Sequence, residues 1–316
     1  MDYKAVEILE NEIRLRDVES FHPKHIFECG QCFRWNRIHE EDETRFQGIV
    51  HGKVIRVHLR GQDVHLENVN MEEFNSFYKE YFDLGRDYDK VKKELRKDPL
   101  LNEAVKFGYG IRVLNQEPFE TLISFILSSN NLIPKIKEGI RKISEKYGKE
   151  IVFHGETFYA FPTPQELSQA TEEELRGLGV GYRAKYIYET TQAVRGAELM
   201  KEAEKTRALT EEEKQLLPYD LSMIAQLPEE ACHKALQSYS GVGAKVADCV
   251  MLFSMKKKEA FPVDVWVKKA MMHFYGAEGT NLPKIRAFGQ KQFGGLAGIA
   301  QQYLFYYARE KKIRVE

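Results

Sequence analysis

The sequence predicts an α+β protein, with an N-terminal antiparallel β-sheet domain over residues 1–105 and an all-helical body over residues 106–316. Three observations carry this reading. Ile55, Val57 and Leu59 alternate with polar residues, the period of a strand with one wet face. From about residue 71 the apolar spacing changes to three and four, as Phe74, Phe77 and Tyr78 show. Beyond residue 117 nearly every segment has helical periodicity, broken by helix-start and helix-stop signals.

The elements follow in order. Residues 54–60 form a strand, Gly61-Gln62-Asp63 a turn, and residues 64–67 the returning strand of a hairpin. Residues 46–50, ahead of His51-Gly52-Lys53, supply a third strand. Thr163-Pro164-Gln165-Glu166 combines a capping box with proline at the first helical position, and Thr171 with Glu174 makes a second box. Gly276 and Gly279 are expected to close a helix over 265–275. Residues 197–218, rich in Lys, Glu and Arg, are expected to be an exposed helical insertion.

Composition narrows the function classes. A chain of 316 residues, 43% hydrophobic and 30% charged, is globular rather than disordered or fibrous. No run of eighteen apolar residues is present, so no membrane partner is expected. The start, MDYKAVEILENEIRL, has no apolar signal core, which argues against secretion. The four cysteines, Cys29, Cys32, Cys232 and Cys249, make no disulfide framework and fit a reducing cytoplasm. Cys29 and Cys32 have two residues between them, yet no second Cys or His pair has suitable spacing, so neither metal nor cofactor is expected. The net charge of −1 is unlike that of most nucleic-acid binders. Local runs at 135–142, 256–258 and 268–269 are basic, although for any single one a solvated helix face is the stronger reading.

The most informative segment is Ser240-Gly241-Val242-Gly243-Ala244-Lys245. One helix, over residues 228–236, enters a turn holding Gly241 and Gly243, and a second helix leaves it. Glycines let a partner approach the backbone. The N–H groups opening the second helix attract an anion such as a nucleic-acid phosphate. The plain alternative is a helix-turn-helix with a glycine corner. Lys245 sits in the first turn of the second helix, and Asp264 follows nineteen residues later in Phe261-Pro262-Val263-Asp264. A lysine amine can attack a sugar anomeric carbon and form a Schiff base. A carboxylate can stabilise the positive charge developing on that sugar. Asp264 is also placed to cap a helix.

This pairing resembles the helix-hairpin-helix DNA glycosylases. Further segments narrow the resemblance to the 8-oxoguanine DNA glycosylase/AP lyases. These are Cys29-Gly30-Gln31-Cys32-Phe33-Arg34-Trp35, Ser124 through Asn131, Gly177 through Tyr186, and Ala300-Gln301-Gln302-Tyr303-Leu304-Phe305. The resemblance implies base-excision repair of duplex DNA containing an oxidised guanine, by a monomer in the cytoplasm, associated with the nucleoid when acting. It assigns Lys245 as attacking amine and Asp264 as its carboxylate partner. It implies that the Gly30 carbonyl meets the N7 hydrogen of the lesion, that Phe305 and Cys249 sandwich the flipped base, and that Gln301 bonds its Watson–Crick edge. Asn130, Tyr182 and Arg183 would fill the vacated stack and contact the opposite base. The structural alternatives stay open: Phe305 as helix core, Cys249 as a small buried hydrophobe, Tyr182 as packing, and Asn130 as a helix C-cap. Three features depart from the family pattern. Lys135 stands where an arginine for the opposite cytosine is expected, Trp266 where histidine is expected, and residues 197–218 are longer than expected. A monofunctional alkylpurine enzyme using Asp264 and water, and a non-catalytic hairpin module, are the rival readings. Lys245 argues against the first, and the Lys245/Asp264 pair against the second.

Overall fold

The computed structural model describes residues 2–277 and 281–312. Six strands form one sheet in the order β1-β2-β6-β5-β4-β3. They are β1 (Ala5–Leu9), β2 (Glu12–Arg16), β3 (Trp35–Arg37), β4 (Arg45–Val50), β5 (Lys53–Arg60) and β6 (Asp63–Glu67). The register places Val57 opposite Leu66, and Leu66 opposite Ile13 on the other side. Leu59 faces Val64, which faces Leu15. Because side chains alternate across a strand, these residues share one face, and Ile13, Leu15, Val57, Val64 and Leu66 are fully buried there. Phe27 stacks on Trp35 at 3.9 Å beneath that face, and Trp35 Nε1 donates to Tyr81 Oη at 2.9 Å. The expected strands are all present. The strands β1, β2 and β3 were not expected: β3 is three residues long, and Glu7, Arg14 and Arg16 make β1 and β2 read as polar. Those charges are paired across the outer face, with Arg14 Nε donating to Asp63 at 3.0 Å and Arg16 Nη1 to Glu7 at 2.9 Å.

The helix expected from residue 71 starts at Asn70, which forms a capping box with Glu73, and then widens into a five-residue π turn over Phe74–Tyr78. The chain gathers into two compact units that do not follow the linear division near residue 105. The first comprises the described residues of 1–50, 54–116 and 256–316, and the second 51–53 and 117–255. The C-terminal helices therefore join the sheet. The reason lies in the helix Ala297–Glu310, most of whose residues are buried. Gln302 Nε2 donates to the Cys29 carbonyl at 2.5 Å, and Arg309 Nη2 to the Glu28 carbonyl at 2.5 Å. Helical periodicity reveals an apolar face but not which distant segment covers it.

The second unit holds the helices Pro118–Ser128, Ile133–Tyr147, Arg183–Glu204, Glu229–Leu236 and Ala244–Ser254. Both expected capping boxes form, at Thr163/Glu166 and Thr171/Glu174. One two-stranded hairpin, β7 (Glu150–Phe153) with β8 (Glu156–Tyr159), interrupts the expected all-helical body. Neither Glu150-Ile151-Val152-Phe153 nor Glu156-Thr157-Phe158-Tyr159 alternates apolar with polar residues, so no period-two signal marks them. The charged stretch 197–218 continues the helix that begins at Arg183, then adds the short helix Glu211–Lys214 capped by Thr210. It is anchored rather than detached: Leu209 is buried, and Lys201 pairs with buried Asp220 at 3.0 Å. Among the described residues no helix is long and apolar enough to cross a membrane.

Candidate functional site

The hairpin is built by glycines at two different kinds of position. Gly241 has φ +78°, and a Cβ there would stand 2.7 Å from the Tyr186 ring, so both backbone and space demand glycine. Gly243 is the N-cap of the helix Ala244–Ser254, with no side-chain acceptor, and a Cβ there would meet nothing within 4 Å. The first position is closed against the protein, and the second is open for a partner to approach. Beneath the turn, Gln237 Nε2 donates to His233 Nδ1 at 3.1 Å, which puts the ring proton on Nε2. That nitrogen faces the Ala244 carbonyl at 3.2 Å and buried Asp248 at 3.6 Å. His233 thereby ties the two hairpin helices together next to Lys245.

Lys245 Nζ lies 3.4 Å from Ser128 Oγ and 5.1 Å from the centre of the Phe125 ring. The Ser128 hydroxyl donates to the Phe125 carbonyl at 2.7 Å, leaving its oxygen to accept from the amine. Phe125 in turn stacks on Phe253 at 5.5 Å, locking the two helices that carry serine and lysine. Cys249 is one helical turn beyond Lys245, on the same face, and is 3% exposed.

A second cluster surrounds Asn130, which follows the helix Pro118–Ser128 with φ +50°. Arg183, itself buried, donates from Nε to the Ser129 carbonyl at 3.1 Å, and from Nη2 to Ser129 at 2.5 Å and Asn130 at 2.9 Å. Its guanidinium also lies 4.5 Å from the Tyr182 ring. Tyr182 is 50% exposed, and beside Asn130 the side chain of Leu132 is 73% exposed. Large exposed apolar groups next to a braced loop suit insertion into a base stack. Lys135 is largely solvent-facing and pairs with Glu138 at 3.1 Å.

The first unit carries the remaining candidates. Gly30 has φ +83°, and a Cβ on it would stand 2.8 Å from Phe305 Cε1. Its neighbours are pinned: the carbonyls of Glu28 and Cys29 accept from Arg309 and Gln302, and Gln31 Nε2 donates to the Ile26 and Arg112 carbonyls at 2.9 and 2.7 Å. The Gly30 carbonyl itself is engaged by no group among the described residues. Gln301 is one turn before Phe305 on the same helix face; it is 4% exposed, and its Oε1 has no hydrogen-bond partner. The Arg309 guanidinium, one turn further, backs the Phe305 ring at 5.2 Å. Cys29 and Cys32 bond backbone carbonyls of Ile26 and Phe27, and burial pushes the Cys29 thiol up to about 11. Asp264 caps the helix Val265–Tyr275, accepting from Val267 N at 2.8 Å, and Gly276 closes that helix in the left-handed conformation. Gly279, the other expected closing residue, lies outside the described residues.

Two family models divide the chain. The N-terminal domain of 8-oxoguanine DNA glycosylase matches residues 14–122, and the HhH-GPD superfamily base excision DNA repair protein matches residues 123–291. The chain belongs to the 8-oxoguanine DNA glycosylases of the HhH-GPD superfamily. The 8-oxoguanine glycosylase/lyase of Clostridium acetobutylicum, solved with double-stranded DNA containing cytosine opposite 8-oxoguanine, is 48% identical. That alignment covers 99% of this chain and 100% of that one, with a TM-score of 0.89. The probable N-glycosylase/DNA lyase of Methanothermobacter thermautotrophicus is 33% identical over 67% of this chain and 68% of its own length. The Arabidopsis thaliana N-glycosylase/DNA lyase OGG1 is 31% identical over 88% of this chain and 75% of its own.

Within this glycosylase fold, Lys245 and Cys249 share one helix face, Asn130, Tyr182 and Arg183 share one loop cluster, and Gly30 touches Phe305. Several contributors escaped sequence reasoning. Ser128 and Phe125 lie inside the Ser124–Asn131 segment, but nothing in its pattern links them to Lys245. Arg309 was detectable in principle, standing one turn after Phe305. His233 and Asp248 are fifteen residues apart across the hairpin, a spacing with no periodic signature.

Proposed function

We propose that this chain excises 8-oxoguanine from duplex DNA and then cleaves the resulting abasic site as a lyase. One observation carries the base-recognition reading: the buried, unpartnered Gln301 Oε1 beside Phe305 and the unengaged Gly30 carbonyl. A buried acceptor without a partner costs about 1–3 kcal/mol, so such groups call for a ligand that donates to them. A flipped oxidised purine offers donors along its edge and a π-face for Phe305.

In the reaction, the free amine of Lys245 attacks the anomeric carbon. The glycosidic bond breaks, and its electron pair leaves with the base, which takes up a proton. Asp264 stabilises the positive charge on the sugar. Ring opening gives a Schiff base, loss of a C2′ proton expels the 3′ phosphate, and water then releases the lysine. Phe125 and Ser128 hold the amine in place. Open Gly243 and the uncapped helix behind it receive a DNA phosphate. Cys249 and Phe305 take the two faces of the base. Asn130 and Tyr182 occupy the vacated stack. Arg183 acts by bracing the Asn130 loop, and Lys135 faces the opposite base as a single point charge. The enzyme works as a monomer, in the cytoplasm and on the nucleoid. The test is excision on duplexes holding 8-oxoguanine opposite cytosine, an alkylated purine, or an adenine mismatch. Strand cleavage confined to the first supports the assignment. Release of the alkylated purine without cleavage overturns it in favour of a monofunctional enzyme.

A further inference from the structure

The base-excision account leaves one prominent side chain without a role. Leu132 is 73% exposed, more than any other large apolar side chain among the described residues. Its neighbour Ile133 is 42% exposed, and Tyr182, 50% exposed, donates to the Ser129 carbonyl at 3.4 Å. One exposed leucine signifies little, but three large apolar groups around one polar loop make a patch. Leu132 is also the N-cap of the helix Ile133–Tyr147, with no side-chain bond to the orphan N–H groups of the first turn. Leucine is among the poorest residues for that position, where serine or asparagine serves the fold better. Stability and solvation therefore both disfavour leucine here. The backbone that carries it is held on both sides. Asn131 Nδ2 donates to the Leu127 carbonyl at 3.0 Å, and Asn131 Oδ1 accepts from Leu132 N at 2.9 Å. The Leu132 carbonyl accepts from Ile136 N at 3.0 Å, and Ile136 is buried. A side chain presented on fixed backbone loses less freedom on binding.

We propose that Leu132, flanked by Ile133, is an apolar wedge that enters the partner strand of the lesion duplex, beside the base left unpaired by flipping. This deepens the glycosylase reading and rests on it. Leucine and isoleucine are among the side chains that proteins insert between base steps. One residue separates Asn130 from Leu132. Their backbones are therefore within about 7 Å of each other, or about two base-pair steps of duplex. With Asn130 in the vacated stack, Leu132 reaches the adjoining step of the other strand. Lys135 contributes charge at the partner base, whereas Leu132 contributes contact with a base face. Every base has such a face, so the wedge holds the partner strand without selecting its base.

The experiment uses a duplex with an uncleavable tetrahydrofuran abasic analogue opposite 2-aminopurine, whose fluorescence rises when it is unstacked. Wild type should bind this duplex more tightly than intact duplex and raise the fluorescence. Leu132→Ser should lose several-fold in affinity for the analogue duplex, and most of the fluorescence rise, while keeping its affinity for intact duplex. Its Tm should hold or rise, since serine is the better N-cap. Leu132→Met should recover both binding and fluorescence. The affinity lost in Leu132→Ser should be the same with cytosine or adenine as the partner base. Val152→Ser, at a residue 70% exposed on the β7–β8 hairpin, is the control and should bind as wild type. Wild-type affinity and fluorescence in Leu132→Ser overturn the wedge. So does a fall in its Tm, or an equal loss on intact duplex or in Val152→Ser. If wild type itself binds the analogue duplex no more tightly than intact duplex, the glycosylase reading fails and the wedge falls with it.

Discussion

Replacing Gly30 with alanine perturbs the backbone and the base pocket at one point, and the structure separates the two costs. At φ +83° an L-residue is strained, by about 1–2 kcal/mol. The added Cβ would also stand 2.8 Å from Phe305 Cε1 and 3.2 Å from Cζ. The ring cannot retreat freely, because the Arg309 guanidinium backs it at 5.2 Å and is itself tied to the Glu28 carbonyl. Overpacking of this kind costs about 1–3 kcal/mol. Gly61 supplies the control: its φ is +64°, but a Cβ there meets nothing within 4 Å. Gly61→Ala should therefore show the strain alone, a fall in Tm of a few degrees at about 2–4 °C per kcal/mol, with normal excision. Gly30→Ala should fall further in Tm and lose at least about tenfold in single-turnover excision, the factor that 1.4 kcal/mol represents. Its affinity for undamaged duplex should be kept. If Gly30→Ala matches Gly61→Ala in Tm and excises 8-oxoguanine at the wild-type rate, Gly30 and Phe305 do not form the base pocket.

Three further outcomes follow from the site. Asp264→Asn retains an acceptor for Val267 N, so Tm should hold while excision falls about 100-fold, the scale of a lost electrostatic contribution; near-normal excision shows that the charge is dispensable. Arg183→Ala removes three bonds to the Ser129 and Asn130 carbonyls. With bonds to charged groups worth about 1.5–3 kcal/mol, Tm should drop and lesion-duplex affinity should fall more than affinity for intact duplex; unchanged values mean the Asn130 loop supports itself. Lys135→Arg should sharpen the preference for cytosine opposite the lesion by up to the ~1–3 kcal/mol of one bidentate contact, with no change in Tm because the side chain is solvent-facing; an unaltered preference shows that other residues read the partner base.

What was legible in the sequence was whatever depends on near neighbours. The β5–β6 hairpin follows from alternation, the capping boxes from residues three apart, and the glycine hairpin from its local spelling. Gly241 illustrates the limit: the sequence shows a glycine, but only the Tyr186 ring 2.7 Å away from its absent Cβ explains why nothing else fits. The return of the C-terminal helix to the sheet was illegible, because the bonds from Gln302 and Arg309 to residues 28 and 29 span more than 270 positions. Arg183 is expected at the opposite base; its Nε and Nη2 donate to loop carbonyls, an allocation that composition and spacing cannot reveal. The charged stretch 197–218 is largely exposed, as its charge suggests, but its anchors, buried Leu209 and the Lys201–Asp220 pair, leave no local signal in the sequence.

The central claim is that Lys245 is the nucleophile, and covalent trapping tests it most directly. Borohydride reduces a Schiff base to a stable amine, fixing enzyme to DNA at the attacking residue. Wild-type protein turning over an 8-oxoguanine duplex in borohydride should give a covalent complex, with the peptide containing Lys245 carrying the adduct. Lys245→Gln should give none while still binding the duplex, since the open hairpin backbone at Gly243 is untouched. Trapping of Lys245→Gln at the wild-type yield, or an adduct mapped to another residue, contradicts the account.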